Sequence, residues 1–160
     1  MTKLSPNFTL RELTRSEAAE RQGIDNTPSP TQIENLKALC VNVLEPLRAH
    51  LGKPIAISSG YRGPEVNKLI GGSTTSQHSK GEAADFEVFG MSNHALARTI
   101  LTLGIPFGQL ILEFYSPTDP SAGWVHVSYS RGTNKGEVLT ATRGPDGKTV
   151  YTQGLPKLPT

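Results

Sequence analysis

The sequence predicts a single α+β domain, with helices in the first third of the chain and most of the strands after it. Apolar residues recur at three- and four-residue spacing between positions 31 and 47, which indicates one buried face of a helix. Short apolar runs at residues 83–89, 109–115 and 124–129 indicate strands, and turn-forming residues separate them. Helices followed by a mixed set with several strands are typical of the α+β class.

The first predicted elements are helical. Residues 7–24 have the pattern of a short helical region, which the turn cluster DNTPSP at residues 25–30 ends. A longer helix is predicted from Thr31, because Thr31 and Glu34 have the spacing of a capping box. We expect Pro46 to bend this helix and Gly52 to end it. Its predicted buried face consists of Ile33, Leu36, Leu39, Cys40, Val43, Leu44 and Leu47.

Short strands and helices alternate in the rest of the chain. A strand at residues 54–58, a loop at 59–64, a helix at 65–70 and a polar loop at 71–75 come first. The predicted elements that follow are a strand at 83–89, a helix at 93–103 capped by Ser92, strands at 109–115 and 124–129, and a weaker strand at 138–142.

Length and charge exclude several classes of function. The 160 residues are about one domain's worth. The formal net charge of +2 is too small to indicate that the chain as a whole binds nucleic acid. No apolar run approaches the ~18 residues of a membrane span, and the N-terminus lacks the apolar core of a signal peptide. We therefore expect a monomer that is made in the cytoplasm and neither binds nucleic acid nor inserts into a membrane. The single cysteine, Cys40, excludes an internal disulfide.

We expect the domain to span residues 1–130, with the N-terminal helical segment of residues 1–30 included. Residues 131–160 differ in charge, since they carry five basic and two acidic side chains and residues 1–130 sum to −1. The turn sequence PDGK at residues 145–148 favours a hairpin in this basic extension. A disordered tail is the other interpretation, and the positive charge would suit contact with an anionic surface such as a cell-wall polymer.

Two stretches carry the residues that suggest chemistry. In SQHSKGEAADF, residues 76–86, His78 lies in a polar loop and Asp85 follows it in an apolar strand. A buried carboxylate is costly unless it is paired, hydrogen-bonded or bound to a metal. In WVHVS, residues 124–128, the side chain of His126 alternates with two valines. Two histidines and one carboxylate suit zinc, which leaves a fourth position for water and activates it near neutral pH.

These stretches resemble one family of metallopeptidases, the zinc D-Ala-D-Ala carboxypeptidases and phage L-alanyl-D-glutamate endolysins. The resemblance covers roughly residues 8–130 and depends on SGYR at 59–62, S-x-H-x-x-G-x-A-x-D at 76–85 and WVHVS at 124–128. It implies a Hedgehog/DD-peptidase-like α+β fold, with N-terminal helices packed on a small antiparallel-rich sheet that carries the zinc site. It also implies one zinc ion held by His78, Asp85 and His126.

The resemblance further implies that Arg62 anchors the substrate, since a guanidinium can bind a carboxylate through two parallel hydrogen bonds. Ser76 and Gln77 are expected either to contact the peptide or to orient His78.

The general base is the point at which the sequence departs from the family pattern. Many members have Glu or Asp three residues before the last histidine, and this position is Gly123 here. Glu113 shares a strand face with Gln109 and Ile111, so it would point towards the metal if strands 109–115 and 124–129 pair. We expect Glu113 to be the base. The competitor is Asp119, in a proline-containing loop.

The sequence therefore predicts a zinc peptidase that hydrolyses the stem peptides of bacterial peptidoglycan. The bond would be either D-Ala-D-Ala, as in a carboxypeptidase, or L-Ala-D-Glu, as in an endopeptidase. A chain without a leader could reach the cell wall as a phage or prophage enzyme that is released at lysis or carried on the virion. The alternative is a non-catalytic, zinc-containing peptidoglycan-binding or phage structural module, which Gly123 at the usual base position motivates.

Overall fold

The computed structural model describes residues 2–73 and 76–157, and it has the predicted α+β fold. Thr74 and Thr75 of the polar loop predicted at 71–75 lie outside the described residues. The strands are β1 (Lys3–Ser5), β2 (Phe8–Thr9), β3 (Ala56–Ser59), β4 (Ala83–Glu87), β5 (Gln109–Glu113), β6 (Trp124–Ser128), β7 (Glu137–Arg143) and β8 (Thr149–Gln153). The α-helices are α1 (Leu10–Thr14), α2 (Glu17–Gln22), α3 (Pro30–Leu39), α4 (Glu45–Leu51), α5 (Pro64–Leu69) and α6 (Asn93–Thr102).

Two N-terminal predictions need correction. The region 7–24 is not one helix, because Thr9 and Ser16 each cap a separate short helix, α1 and α2. The capping box of α3 is formed by Ser29 and Gln32 rather than by Thr31 and Glu34. Pro30 explains the earlier start, since its fixed φ suits the first helical position and its missing N–H costs nothing there.

Pro46 produces a wider turn in the long helical segment. Residues Cys40–Leu44 form a π-helix between α3 and α4, and the N–H of Glu45 donates to the carbonyl of Cys40. In a regular helix the ring of Pro46 would clash with the carbonyl of Asn42, and the wider turn relieves that clash. Six of the seven residues of the predicted apolar face are fully inaccessible, namely Leu36, Leu39, Cys40, Val43, Leu44 and Leu47, whereas Ile33 is only half-buried.

The main sheet has six strands in the order β3-β4-β6-β5-β7-β8. All neighbours are antiparallel except β5 and β7, which run parallel. One face of the sheet supplies the hydrophobic core together with the helices, through residues such as Phe86, Leu110 and Val127. Side chains alternate along a strand, so Asp85, Glu113 and His126 project from the other face.

The basic C-terminal segment forms a hairpin on this sheet. Strands β7 and β8 pair antiparallel around a turn closed by the N–H of Gly144 and the carbonyl of Lys148. Strand β7 also pairs with β5, so the sheet continues past residue 130. None of the helices in the described part of the chain has the length and hydropathy of a bilayer-spanning segment.

Candidate metal centre and active site

A cavity of about 420 Å³ opens on the polar face of the sheet. The pairing of three adjacent strands forms its floor. Asp85 of β4 lies opposite His126 of β6, and His126 lies opposite Ile111 of β5. The structure brings all seven residues selected from the sequence into its lining, namely Arg62, Ser76, Gln77, His78, Asp85, Glu113 and His126.

Backbone contacts hold His78 at the edge of this cavity. It lies in a short 3₁₀-helix, Gln77–Lys80, whose cap is Ser76: the Ser76 hydroxyl accepts a hydrogen bond from the N–H of His78. Gly81 ends this helix with φ +74°, and a Cβ there would lie 2.6 Å from the carbonyl oxygen of Gln32. The glycine of the motif is therefore required both by its left-handed backbone and by the close approach of α3.

The three proposed ligands converge on one point. One ligand atom from each of His78, Asp85 and His126 lies within 4.8 Å of the others, and all three residues are buried. Asp85 Oδ1 is 3.3 Å from Nε2 of His78 and 2.9 Å from Nδ1 of His126. Two imidazole nitrogens and one carboxylate oxygen in this arrangement form a donor set that suits zinc.

The second nitrogen of each imidazole has its own partner. Nδ1 of His78 donates to the carbonyl of Gly60 at 2.8 Å, which leaves Nε2 as the free lone pair. Nε2 of His126 is 3.0 Å from Oε1 of Gln77 and can donate to it, which leaves Nδ1 facing Asp85. Such outer partners fix the tautomer and ring orientation of metal-binding histidines. Gln77 was expected either to contact the peptide or to orient His78, and its side chain contacts the ring of His126.

The protonation states also favour a metal. Burial lowers the pKa of His78, so its ring is neutral near pH 7 and can donate a lone pair. Burial alone would raise the pKa of Asp85, but the adjacent side chains of His126 and His78 outweigh that effect and hold the pKa well below the usual range. An ionised Asp85 carboxylate and a neutral imidazole nitrogen of His78 therefore lie side by side, as a metal ion requires of its ligands.

Glu113 faces the cavity because β5 pairs with β6. It lies opposite Trp124, whose indole N–H donates to Glu113 Oε2 at 2.5 Å. Burial and the nearby charge of Asp85 raise the pKa of Glu113. A carboxylate with a raised pKa beside a metal set is suited to proton transfer near neutral pH.

Gly123 occupies the usual base position for a steric reason. Its φ is +75°, and a Cβ there would lie 1.9 Å from the carbonyl oxygen of Glu113. A side chain therefore cannot be accommodated at residue 123 without moving the end of β5. Asp119, the competing base, is exposed, and its carboxylate accepts hydrogen bonds from Ser121 outside the cavity lining.

Arg62 brings the positive charge of the cavity. Its backbone N–H donates to the carbonyl of His78, which ties the SGYR loop to the metal motif. Its side-chain Nε is buried and has no hydrogen-bond partner among the described residues. Burial lowers the pKa of Arg62, against the charges of Asp85 and Glu113, but a guanidinium stays protonated. A half-buried cation with an unpaired donor suits the binding of an anion.

Two aromatic side chains, Trp124 and Tyr151, also line the cavity and were not selected from the sequence. Trp124 shares a strand face with His126, so the alternation of β6 could have indicated that it points into the site. Tyr151 lies in the C-terminal segment, and no local pattern there predicts that it reaches the cavity.

Comparison with known proteins agrees with this geometry. A family model described as Peptidase M15 matches residues 6–128, more than three quarters of the chain. A search of curated proteins finds no match. The matched segment contains Arg62, Glu113 and all three residues of the metal set. The chain therefore belongs to the peptidase M15 family, whose members are zinc-dependent metallopeptidases.

Proposed function

We propose that this metallopeptidase cleaves the stem peptides of bacterial peptidoglycan, at either the D-Ala-D-Ala or the L-Ala-D-Glu bond. Zinc peptidases of this family act on substrates of the peptidoglycan type. The observation that carries the proposal is the presence of Glu113 in the same cavity as the metal set, since hydrolysis needs a base there as well as a Lewis acid.

Each polar residue of the cavity has a proposed role in this reaction. His78, Asp85 and His126 would hold the zinc ion. When bound, zinc supplies a Lewis acid that polarises the scissile carbonyl and activates water. Glu113 takes a proton from the attacking water and passes it to the leaving amine. The Trp124 indole holds one oxygen of that carboxylate, so the other oxygen is available for the transfer.

Substrate binding is assigned to the remaining residues. Arg62 would bind a carboxylate of the peptide, because its Nε is buried and unpaired among the described residues. Ser76 and Gln77 line the same cavity and would contact the peptide backbone. Gln77 would also keep His126 in position through its hydrogen bond to Nε2.

The biological setting is proposed from chemistry and charge. A phage or prophage enzyme, released at lysis or carried on the virion, would meet peptidoglycan directly. The proposed catalytic domain is residues 1–130, and the basic residues of the 131–160 segment would favour contact with anionic cell-wall polymers.

The test joins metal content with product analysis. Purified protein is assayed for bound zinc and then incubated with tetrapeptide and pentapeptide muropeptides, and the products are identified by mass spectrometry. Loss of a terminal alanine indicates a carboxypeptidase, and cleavage between L-Ala and D-Glu indicates an endopeptidase. Glu113→Gln should keep zinc and lower kcat by about 10²- to 10⁴-fold.

Asp119→Asn is the matched control, since it removes an exposed carboxylate of the competing candidate. This variant should retain the wild-type rate. Stoichiometric zinc without cleavage of either bond would contradict the proposed activity and favour a peptidoglycan-binding module. Equal loss of activity in both variants would contradict the assignment of Glu113.

A further inference from the structure

The C-terminal hairpin places an aromatic side chain beside the catalytic cavity. Tyr151 of β8 lies opposite Ala141 of β7, and Ala141 lies opposite Glu113 of β5. Residues opposite one another in neighbouring strands share a face, so Tyr151 is on the same face as Glu113, about 10 Å away across two strand spacings. Ala141 between them is small, and Tyr151 lines the cavity that contains Glu113 and the metal set.

The hairpin is attached to the domain at several points. Its first strand forms a continuous ladder with β5, from Gln109 to Glu113. Beyond β8, the hydroxyl of Thr140 donates to the carbonyl of Gly154 at 2.6 Å, and buried His94 donates through Nε2 to the carbonyl of Pro156 at 2.5 Å. The ladder with β7 and these contacts beyond residue 151 attach the backbone of β8 to the sheet beside the cavity.

The hydroxyl of Tyr151 is available to a ligand. It has no hydrogen-bond partner among the residues that the structure describes, and the side chain is 56% exposed. Partial burial and the charge of Glu113 raise the pKa of Tyr151, so the phenol keeps its proton at neutral pH and can donate. An aromatic ring with a free donor at its tip suits contact with a peptide, whose backbone offers carbonyl oxygens.

We infer that Tyr151 is a substrate-binding residue that donates a hydrogen bond to an oxygen on the leaving-group side of the scissile bond. The inference rests on the proposed function, in which Glu113 protonates the leaving amine. That amine must then lie next to Glu113, and Tyr151 lies beyond Glu113 on the side away from the metal set. The acceptor is the carbonyl or terminal carboxylate oxygen that follows the leaving nitrogen.

This residue lies outside the segment that the family model matches, which ends at residue 128. The contact is therefore made by a part of the chain that lies outside the matched segment. It would adjust which peptides bind well without altering the metal set or the base.

The test compares Tyr151→Phe with Val150→Ala. The first variant removes only the hydroxyl. The second truncates a neighbour on the same strand that is 45% exposed and points to the opposite face. Steady-state kinetics with the cleaved muropeptide should show that Tyr151→Phe raises KM about fivefold, with kcat within twofold of wild type, as loss of one hydrogen bond predicts. Val150→Ala should leave both constants unchanged, and thermal unfolding should verify that both variants are folded.

A second readout does not depend on turnover. Calorimetric titration of the tetrapeptide and pentapeptide muropeptides into Glu113→Gln, with and without Tyr151→Phe, should show about fivefold weaker binding in the double variant. An unchanged KM and Kd in the Tyr151 variants would overturn the inference and leave the proposed function intact. A wild type that cleaves neither bond would overturn the proposed function. In that case, weaker binding in the double variant would still support the contact between Tyr151 and the peptide. A loss in kcat alone would contradict a ground-state contact.

Discussion

Replacing Gly123 with alanine should destabilise the domain and displace the proposed base together. Gly123 has φ +75°, and a Cβ there would lie 1.9 Å from the carbonyl oxygen of Glu113 and 2.8 Å from the carbonyl carbon of Phe114. Ordinary contacts of a Cβ begin at 3.4 Å, so the chain must open at the junction of β5 and β6. Glu113 lies at that junction, and its carboxylate is held by the adjacent Trp124.

Two separate costs add up in this variant. An alanine in the left-handed region costs about 1–2 kcal/mol relative to glycine. Forcing a methyl group into an occupied space costs roughly 2 kcal/mol more. Gly104 is the matched control, because its φ is +68° and nothing lies within 4 Å of the position of its Cβ. Gly104→Ala should therefore have only the first cost, and the difference between the variants isolates the steric one.

Thermal unfolding measured by circular dichroism gives both values. For a domain of this size, the extra ~2 kcal/mol should lower the Tm of Gly123→Ala by about 6 °C beyond that of Gly104→Ala. Peptidase assays well below both Tm values should show a loss of kcat in Gly123→Ala and not in Gly104→Ala. Equal Tm values would refute the steric reasoning, because the methyl group would then fit without moving β5. Wild-type kcat in Gly123→Ala would refute the coupling to Glu113.

Three further predictions concern the site. Trp124→Phe removes a hydrogen bond that stabilises the ionised form of Glu113, so the pKa of Glu113 should rise further. The acidic limb of the plot of kcat against pH should then move to higher pH. An acidic limb at the wild-type pH would contradict the Trp124 contact. Gln77→Leu removes the partner of His126 Nε2 and should weaken zinc affinity about 10- to 100-fold, measured by competition with a chelator, with little change in the circular dichroism spectrum. Burial raises the pKa of Glu113 above its unfolded value, so its contribution to stability is present below the unfolded pKa and is lost as pH rises through the folded pKa. Metal-free Glu113→Gln should consequently unfold at a higher temperature than metal-free wild type at pH 7 and lose that advantage in acid.

Much of the site could be predicted because its signals are local. His78, Gly81 and Asp85 lie within eight residues of one another, where the 3₁₀-helix and the next strand fix their relative positions. Strand alternation predicted the direction of His126 and Glu113, and the pairing of β5 with β6 then brought both to one cavity. The apolar spacing between residues 31 and 47 predicted the buried helix face for the same reason, since helical period is a property of neighbouring residues.

Non-local contacts account for what the sequence did not predict. The carbonyl of Glu113 approaches residue 123 only after β5 and β6 pair. From the sequence alone, Gly123 is therefore interpreted as the loss of a base, although the structure requires a glycine at this position. The side chain of Gln77 contacts His126, which is 49 residues away in the sequence, rather than its neighbour His78. The folding of the sheet brings Gln77 and His126 together, and the sequence near Gln77 does not indicate this contact.

The sequence by itself determined the class of fold, the metal donor types and the base candidate, because each depends on residue identity and short-range period. Only the tertiary structure decided which side chains share the cavity. The parallel pairing of β7 with β5, between strands separated by the whole of β6, brings Tyr151 to the site from beyond the matched family segment. Strand order depends on the packing of the entire sheet, and no local pattern contains it.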